Sequence, residues 1–366
     1  MRLPSYQQLS KEQDKINNLS LGESFLVTGP PGTGKTVMAL YRAQMLAKQK
    51  VKASLLMHSR LLSQYTADAV SSLDLNGVVK TFYAWIGSFY QAEYHQNVPT
   101  FAAFEIDWNS VLDQLGAQPP RHTSLEHLII DEGQDIHKNF YPIARQLAKC
   151  VTVFADENQR LTAANSTIPE IKGFGNFRAI HELKKNYRNT REIALLAAHF
   201  HTGLRTGVPD LPDRRGEKPV LLKHKNMNET VEYIARYEKN NPKQQIGVFV
   251  PFGKTRDSLF NRFSVGGRTK NPPQKYVGGK GSEAAVVDFT RPGITVLCYK
   301  SAKGLEFDTV FLPELQDVKD GIHTSEFKMM FYVLVSRARD SLYLAYSGEE
   351  PPTVLNAFPP NLLDRR

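Results

Sequence analysis

The sequence predicts an α/β protein of two tandem domains, each a mainly parallel sheet flanked by helices. Three observations carry that expectation. A glycine-rich loop, Gly29-Pro30-Pro31-Gly32-Thr33-Gly34-Lys35-Thr36, follows an apolar run at 25–28 and precedes a helical pattern over 37–47. Short apolar runs then alternate with longer helical segments, the signature of parallel strands joined by helical crossovers. The chain has 366 residues, enough for about two domains with full cores.

Taken in order, the first strand at 25–28 ends in the loop. Its glycines let backbone N–H groups turn inward around phosphate oxygens, and the helix that follows adds positive potential. Lys35 can reach β- and γ-phosphates, and the Thr36 hydroxyl can ligate Mg²⁺. The loop therefore predicts a bound nucleoside triphosphate. Further strands are expected at 54–57, 128–130 and 151–155, with the site on the loops at their C-terminal ends. A second set is expected at 219–222, 246–250, 294–298, 310–312 and 342–345. These place the first domain at 1–182 and the second at 183–366. The stretch 262–281 is rich in Gly, Pro and cations and reads as an exposed basic loop. No internal repeat is visible.

The bulk numbers narrow the class. A hydrophobic content of 41% with 23% charged residues is that of a globular domain. A formal charge of +9 favours an anionic partner without selecting one. Cys150 and Cys298 are the only cysteines, which argues against a disulfide scaffold or zinc site and for a reducing, cytoplasmic setting. No apolar run reaches membrane-spanning length, and the N-terminus lacks the apolar core of a signal peptide.

Two strand tips carry the chemistry. After 128–130 comes Asp131-Glu132-Gly133-Gln134-Asp135. Asp131 can hold Mg²⁺ and Glu132 can activate an attacking water; read by itself, the segment is equally a solvated acidic turn. After the strand ending at 155 comes Asp156-Glu157-Asn158-Gln159, where Gln159 can sense a γ-phosphate or position water.

Taken together, these strings resemble the superfamily 1 helicases of the UvrD/Rep type, over nearly the whole chain and in the right order. Leu9-Ser10-Lys11-Glu12-Gln13 resembles the Q motif, which implies that Gln13 recognises adenine. Residues 29–36, 131–135 and 156–159 resemble motifs I, II and III. Asn186-Tyr187-Arg188-Asn189 is similar to motif IV, implying that Tyr187 stacks on adenine and Arg188 contacts the γ-phosphate. Lys303-Gly304-Leu305-Glu306-Phe307-Asp308 resembles motif V, implying a ribose contact for Glu306. Tyr332-Val333-Leu334-Val335-Ser336-Arg337-Ala338 resembles motif VI, implying a second arginine finger at Arg337. Thr81-Phe82-Tyr83-Ala84-Trp85 resembles motif Ib, which faces single-stranded DNA. The resemblance implies two RecA-like domains with the ATP site in the cleft between them.

For the nucleic-acid track the candidates are Thr81, Phe82, Tyr83, Trp85, Tyr299 and Lys300, aromatics interleaved with polar and cationic groups. The spacing of Phe82 and Trp85 also fits a helical core face. Four departures from the family stand out. Motif Ia is loose at Leu56-Met57-His58-Ser59-Arg60. No aromatic follows Gln159 in Arg160-Leu161-Thr162-Ala163-Ala164. Cys298 and Lys300 stand where motif V usually has Thr and His. The insertion between motifs Ib and II shrinks to about 91–124, and the second insertion is missing. The expected function is a minimal ATP- and Mg²⁺-dependent motor on single-stranded DNA, 3′-to-5′ by resemblance, with RNA left open as substrate. The alternative is a regulatory ATPase that switches a protein partner such as a nuclease.

Overall fold

The computed structural model describes residues 3–102, 105–121, 125–159, 166–203, 207–278, 286–318 and 321–366. The chain divides into two compact units. The first comprises Arg2–Pro30 and Gly34–Lys184; the second comprises Lys185–Arg366, with which the loop tip Pro31–Thr33 groups.

The first unit runs α1 (Lys11–Asn17), β1 (Phe25–Thr28), α2 (Lys35–Lys48), β2 (Ala53–Met57), α3 (Arg60–Ser72), β3 (Val79–Thr81), α4 (Phe82–Tyr94), β4 (Thr100–Ala102), β5 (Glu105–Ile106), α5 (Trp108–Ala117), β6 (Leu125–Ile130), α6 (Phe140–Leu147), β7 (Ala148–Ala155), α7 (Ile168–Phe174) and β8 (Ile180–Glu182). Six strands form a parallel sheet in the order β3-β2-β6-β7-β1-β8. The central strands are buried because helices cover both faces; they are apolar towards their tips, as at 128–130, while the buried His127 of β6 pairs with Thr152 of β7 at 2.8 Å. On one face α4, α5 and α6 bring Phe82, Trp85, Phe89, Trp108 and Phe140 onto Leu128, Ile130 and Val153. On the other face α2 buries Met38, Ala39 and Leu46. The reduced segment after α4 holds the antiparallel β4–β5 hairpin and α5.

The second unit runs α8 (Arg191–His199), β9 (Val220–His224), α9 (Met227–Asn240), β10 (Gln245–Val250), α10 (Gly253–Phe263), β11 (Gln274–Lys275), β12 (Gly293–Cys298), β13 (Phe307–Leu312), α11 (Ser325–Val335), β14 (Ala338–Ser347) and β15 (Asp364–Arg365). Its seven strands are again parallel, in the order β11-β12-β10-β13-β14-β9-β15. The basic stretch expected as a loop is pinned in part. The fully buried Glu238 carboxylate accepts the Lys270 and Asn271 backbone N–H groups at 2.7 and 2.9 Å, and β11 joins the sheet edge. Among the described residues no helix is long and apolar enough to cross a membrane.

Candidate active site

In the first sheet β6, β7 and β1 are neighbours, so the tips carrying Asp131, Asp156 and the glycine-rich loop emerge side by side. Gly34 caps α2 at φ 92°. A Cβ there would lie 2.5 Å from Gln13 Nε2, so both the left-handed backbone and the close approach require glycine. Gln13 is buried, and its Oε1 accepts the Ser10 N–H at 3.1 Å in a capping box. Lys35 is 7% exposed. Its ammonium donates to the Gly29 and Pro30 carbonyls at 2.5 and 3.1 Å and lies 3.8 Å from Asp156. Gly32, at φ 81°, and Thr33, buried, form the loop tip with Pro31.

The carboxylates form a linked set. Asp131 is fully buried, and burial followed by the charge of Glu132 pushes its pKa up to about 7; the Thr36 hydroxyl and Lys35 pull the other way. Its Oδ1 accepts the Glu132 N–H at 3.0 Å, while Oδ2 is buried without a hydrogen-bond partner. Glu132 sits at φ 54°, ψ 44°, a left-handed conformation that is costly for a non-glycine residue and typical of functional tips. Gln134 holds it there, donating Nε2 to Glu132 Oε2 while its Oε1 accepts the Asp156 N–H at 2.9 Å. Asp156 Oδ2 accepts Gln159 Nε2 at 2.6 Å. Burial raises the Asp156 pKa, against the pull of Lys35 and Gln159. Gln134 and Asp156 are the joints that sequence reasoning left without a role. Their signal was position: each stands at the end of a buried strand.

Three buried carboxylates thus share the neighbourhood of the Lys35 ammonium. The orphaned Asp131 Oδ2 and the excess negative charge fit a divalent cation held by Asp131 and Thr36. Among the described residues no cluster of three or more His, Cys, Asp or Glu could hold a metal. A carboxylate and a hydroxyl suit Mg²⁺, which takes one or two protein ligands and completes its shell with phosphates and water.

The second unit gathers the other predicted residues. Arg188 Nε donates to Glu306 Oε2 at 2.7 Å, and Arg339 reaches Glu306 Oε1 at 3.3 Å. Asn189 Nδ2 donates to the Ser336 carbonyl at 3.1 Å, and Asn186 Oδ1 accepts the Arg188 N–H at 2.9 Å. The segments 186–189, 306 and 336–339 are therefore one cluster. Tyr187 is 43% exposed, with Lys185 Nζ 6.0 Å from its ring. Arg337 is 1% exposed; its guanidinium donates to the Val333 and Leu305 carbonyls at 2.9 and 3.3 Å and to Ser336 Oγ at 2.9 Å.

The second unit carries a structural echo of the carboxylate brace around Glu132. At the tip of β13, Glu314 adopts φ 56°, ψ 43°. Gln316 Nε2 donates to Glu314 Oε2 at 2.7 Å, and its Oε1 accepts the Ser347 N–H from β14 at 3.0 Å. This repeats the Glu132–Gln134–Asp156 pattern at the tips of β6 and β7. Pro313 replaces the acidic Asp131, and the Thr230 and Ser347 hydroxyls serve the carboxylate at 3.2 and 3.1 Å.

Of the nucleic-acid candidates, Phe82, Trp85 and Tyr299 are packing residues, 3–4% exposed. Phe82 meets Phe140 edge-on at 4.9 Å. Thr81 caps α4 through the Ala84 N–H. Tyr83 is half-buried and Lys300 exposed. Residues 160–164 lie outside the described residues.

Comparison with known proteins agrees with this arrangement. An AAA domain family model matches residues 13–165, and a UvrD-like helicase C-terminal domain model matches 281–349. Together they define a nucleotide-binding domain followed by a helicase C-terminal domain. The two matches support a likeness to UvrD/Rep-type helicases, each model covering less than half of the chain. It is 25% identical over 246 residues to a protein of Acanthamoeba polyphaga mimivirus provisionally named ATP-dependent DNA helicase R568, covering 60% of this chain and 34% of that one. The chain thus spans about a third of that relative's length. Among solved structures, S. cerevisiae Dbp5 bound to RNA and ADP BeF3 is similar with a TM-score of 0.56 at 14% identity, over 99% of this chain and 90% of that one. That likeness speaks for the fold, two RecA-like domains.

Proposed function

We propose that the chain is an ATP-dependent motor that moves along single-stranded DNA, 3′-to-5′, with little duplex unwinding of its own. The observation that carries this reading is the buried set Lys35–Asp156–Gln134–Glu132–Asp131 beside the phosphate loop. Phosphoryl transfer to water needs positioning and charge stabilisation more than covalent chemistry, and this set offers both.

In the proposed mechanism the backbone of 29–34 and the Lys35 ammonium hold the β- and γ-phosphates, Lys35 exchanging its loop carbonyls for phosphate oxygens. Asp131 and Thr36 would hold Mg²⁺, which would supply neutralisation of phosphate charge. Glu132, oriented by Gln134, accepts the proton of the attacking water. Gln159, tethered to Asp156, reports whether the γ-phosphate is present. Gln13 and Tyr187 receive the adenine, and Glu306 the ribose. Arg188 and Arg337 meet charge developing on the γ-phosphate; guanidinium suits this because it is always charged and forks onto phosphate oxygens.

Lys300 is the exposed candidate for the strand, supported by the cationic excess over 254–303. The deciding experiment compares stimulation of ATP hydrolysis by single-stranded DNA, single-stranded RNA and duplex DNA. Stimulation by single-stranded DNA above the other two is expected. Stimulation by RNA alone moves the substrate to RNA, and indifference to every nucleic acid sinks the motor reading. The slight insertion between α4 and β6 favours a second reading, a nucleotide switch acting on a protein partner such as a nuclease, which that last outcome would select.

A further inference from the structure

The first unit contains a cavity of about 620 Å³ that the phosphate chemistry does not use. It lies where the chain leaves β2 and β3, beside the β4–β5 hairpin and the start of α5. Its walls are aromatic. Trp108 lies flat on His137, the ring centroids 5.7 Å apart and the planes 7° from parallel. Tyr83 lines it, and Phe101 stands on the hairpin with 75% of its surface exposed.

The polar lining has one sign. Glu105, Asp107 and Asp135 all border the cavity. Hydrogen bonds from Ser110, and then Asn109, hold the Asp107 carboxyl below its ordinary range, so it stays ionised. Asp135 Oδ2 is 3.8 Å from His58 Nδ1 and adds to burial in raising the Tyr83 pKa. Burial and Lys138 push the His137 pKa down, towards the neutral ring. No Lys or Arg is found among the described residues that line the cavity, in a chain of formal charge +9.

We propose that this cavity receives a cationic side chain of a partner protein, arginine ahead of lysine. Aromatic faces attract a cation through the ring quadrupole. A guanidinium also stacks flat on such rings and forks onto carboxylates. A nucleic-acid strand is the poorer occupant. A base could stack on the same rings, but its phosphates would lie within a Debye length, about 8 Å, of three carboxylates. The inference does not depend on ATP hydrolysis, so either reading can fail without the other.

The test uses the chain's own fluorescence. Trp85 and Trp108 are its two tryptophans; both are buried in the core, at 4% and 9% exposure, and Trp108 also lines the cavity. The full chain is titrated, without nucleotide, with acetyl-Gly-Arg-Gly-amide, with its lysine and citrulline counterparts, and with adenosine and oligo-dT. A saturable change with the arginine peptide is expected, roughly 3- to 10-fold weaker with the uncharged citrulline peptide. Glu105→Gln should weaken arginine binding by about 3-fold at low salt, and Trp108→Phe should remove the signal. Glu105 is exposed and makes no helix cap, so its variant keeps the fold. Equal binding of the citrulline peptide, a Glu105→Gln protein that binds unchanged, or no saturable response overturns the proposal. So does tighter binding of adenosine or oligo-dT, which would make this a base pocket.

Discussion

Asp131→Asn should make the protein more stable while abolishing hydrolysis, and the gain should depend on pH. The Asp131 carboxyl is completely buried, and its pKa rises from 3.8 to about 7. A carboxyl with a folded pKa above its unfolded one costs nothing below the unfolded value. The cost grows as pH rises between the two values and is complete above the folded one. A rise of that size puts the full cost at a few kcal/mol, with less than half of it present at about pH 5. Asparagine removes the ionisation and keeps an oxygen for the Glu132 N–H. Its stability gain should therefore be larger near pH 8 than near pH 5, by on the order of 2 kcal/mol. Urea unfolding at the two pH values, without metal or nucleotide, reads this directly. Millimolar Mg²⁺ at the higher pH should raise the midpoint of the wild type and not of the variant, because only the wild type presents the carboxylate. A variant less stable than the wild type near pH 8, or one whose gain is the same at both pH values, would refute the reasoning. It would mean that Asp131 is already neutralised within the fold.

Other expectations follow from the same geometry. Glu132→Gln should retain Mg·ATP binding while turnover falls by roughly 10²–10⁴; near-normal turnover in a steady-state assay rules out its role as base. Arg188→Ala should spare ADP affinity and reduce hydrolysis, whereas equal loss of ADP and ATP binding in calorimetry would mark the Glu306 contact as structural only. Arg337→Ala should also lower the melting temperature, since its buried guanidinium serves backbone carbonyls that would lose their donors, at about 1–3 kcal/mol each. DNA affinity should fall steeply as salt rises; a flat salt dependence in fluorescence anisotropy would remove the phosphate track. Single-turnover strand displacement on 3′-tailed duplexes should fall off with duplex length, and efficient unwinding by the purified monomer would contradict the minimal-motor reading.

What the sequence made legible follows from burial. β1, β2, β6 and β7 are covered on both faces by helices, so each contains a short apolar run, at 25–27, 55–57, 128–130 and 153–155, that reads directly as a strand. β3 is Val79-Lys80-Thr81 at the sheet edge, with one polar face, and gives no such signal. β11 and β15 are two residues each and exist only because a neighbour offers an edge. The aromatic string at 81–85 was legible as a motif but not as a surface: helical spacing turns Phe82 and Trp85 into the core and leaves Tyr83 at the rim. The repeat at the strand tips was hidden for a related reason. Glu132 and Glu314 share a backbone conformation, yet only the glutamate, the glutamine two residues on and the aspartate after it match in sequence. The shared requirement is geometric. A buried parallel strand that ends in a carboxylate needs a donor to neutralise it and a link to the next strand, and one glutamine side chain supplies both. The first unit adds Asp131 and Lys35 to that frame, the pair to which the proposed mechanism gives metal and phosphate. The second puts Pro313 in the aspartate's place and surrounds its glutamate with hydroxyls, keeping the brace without the chemistry.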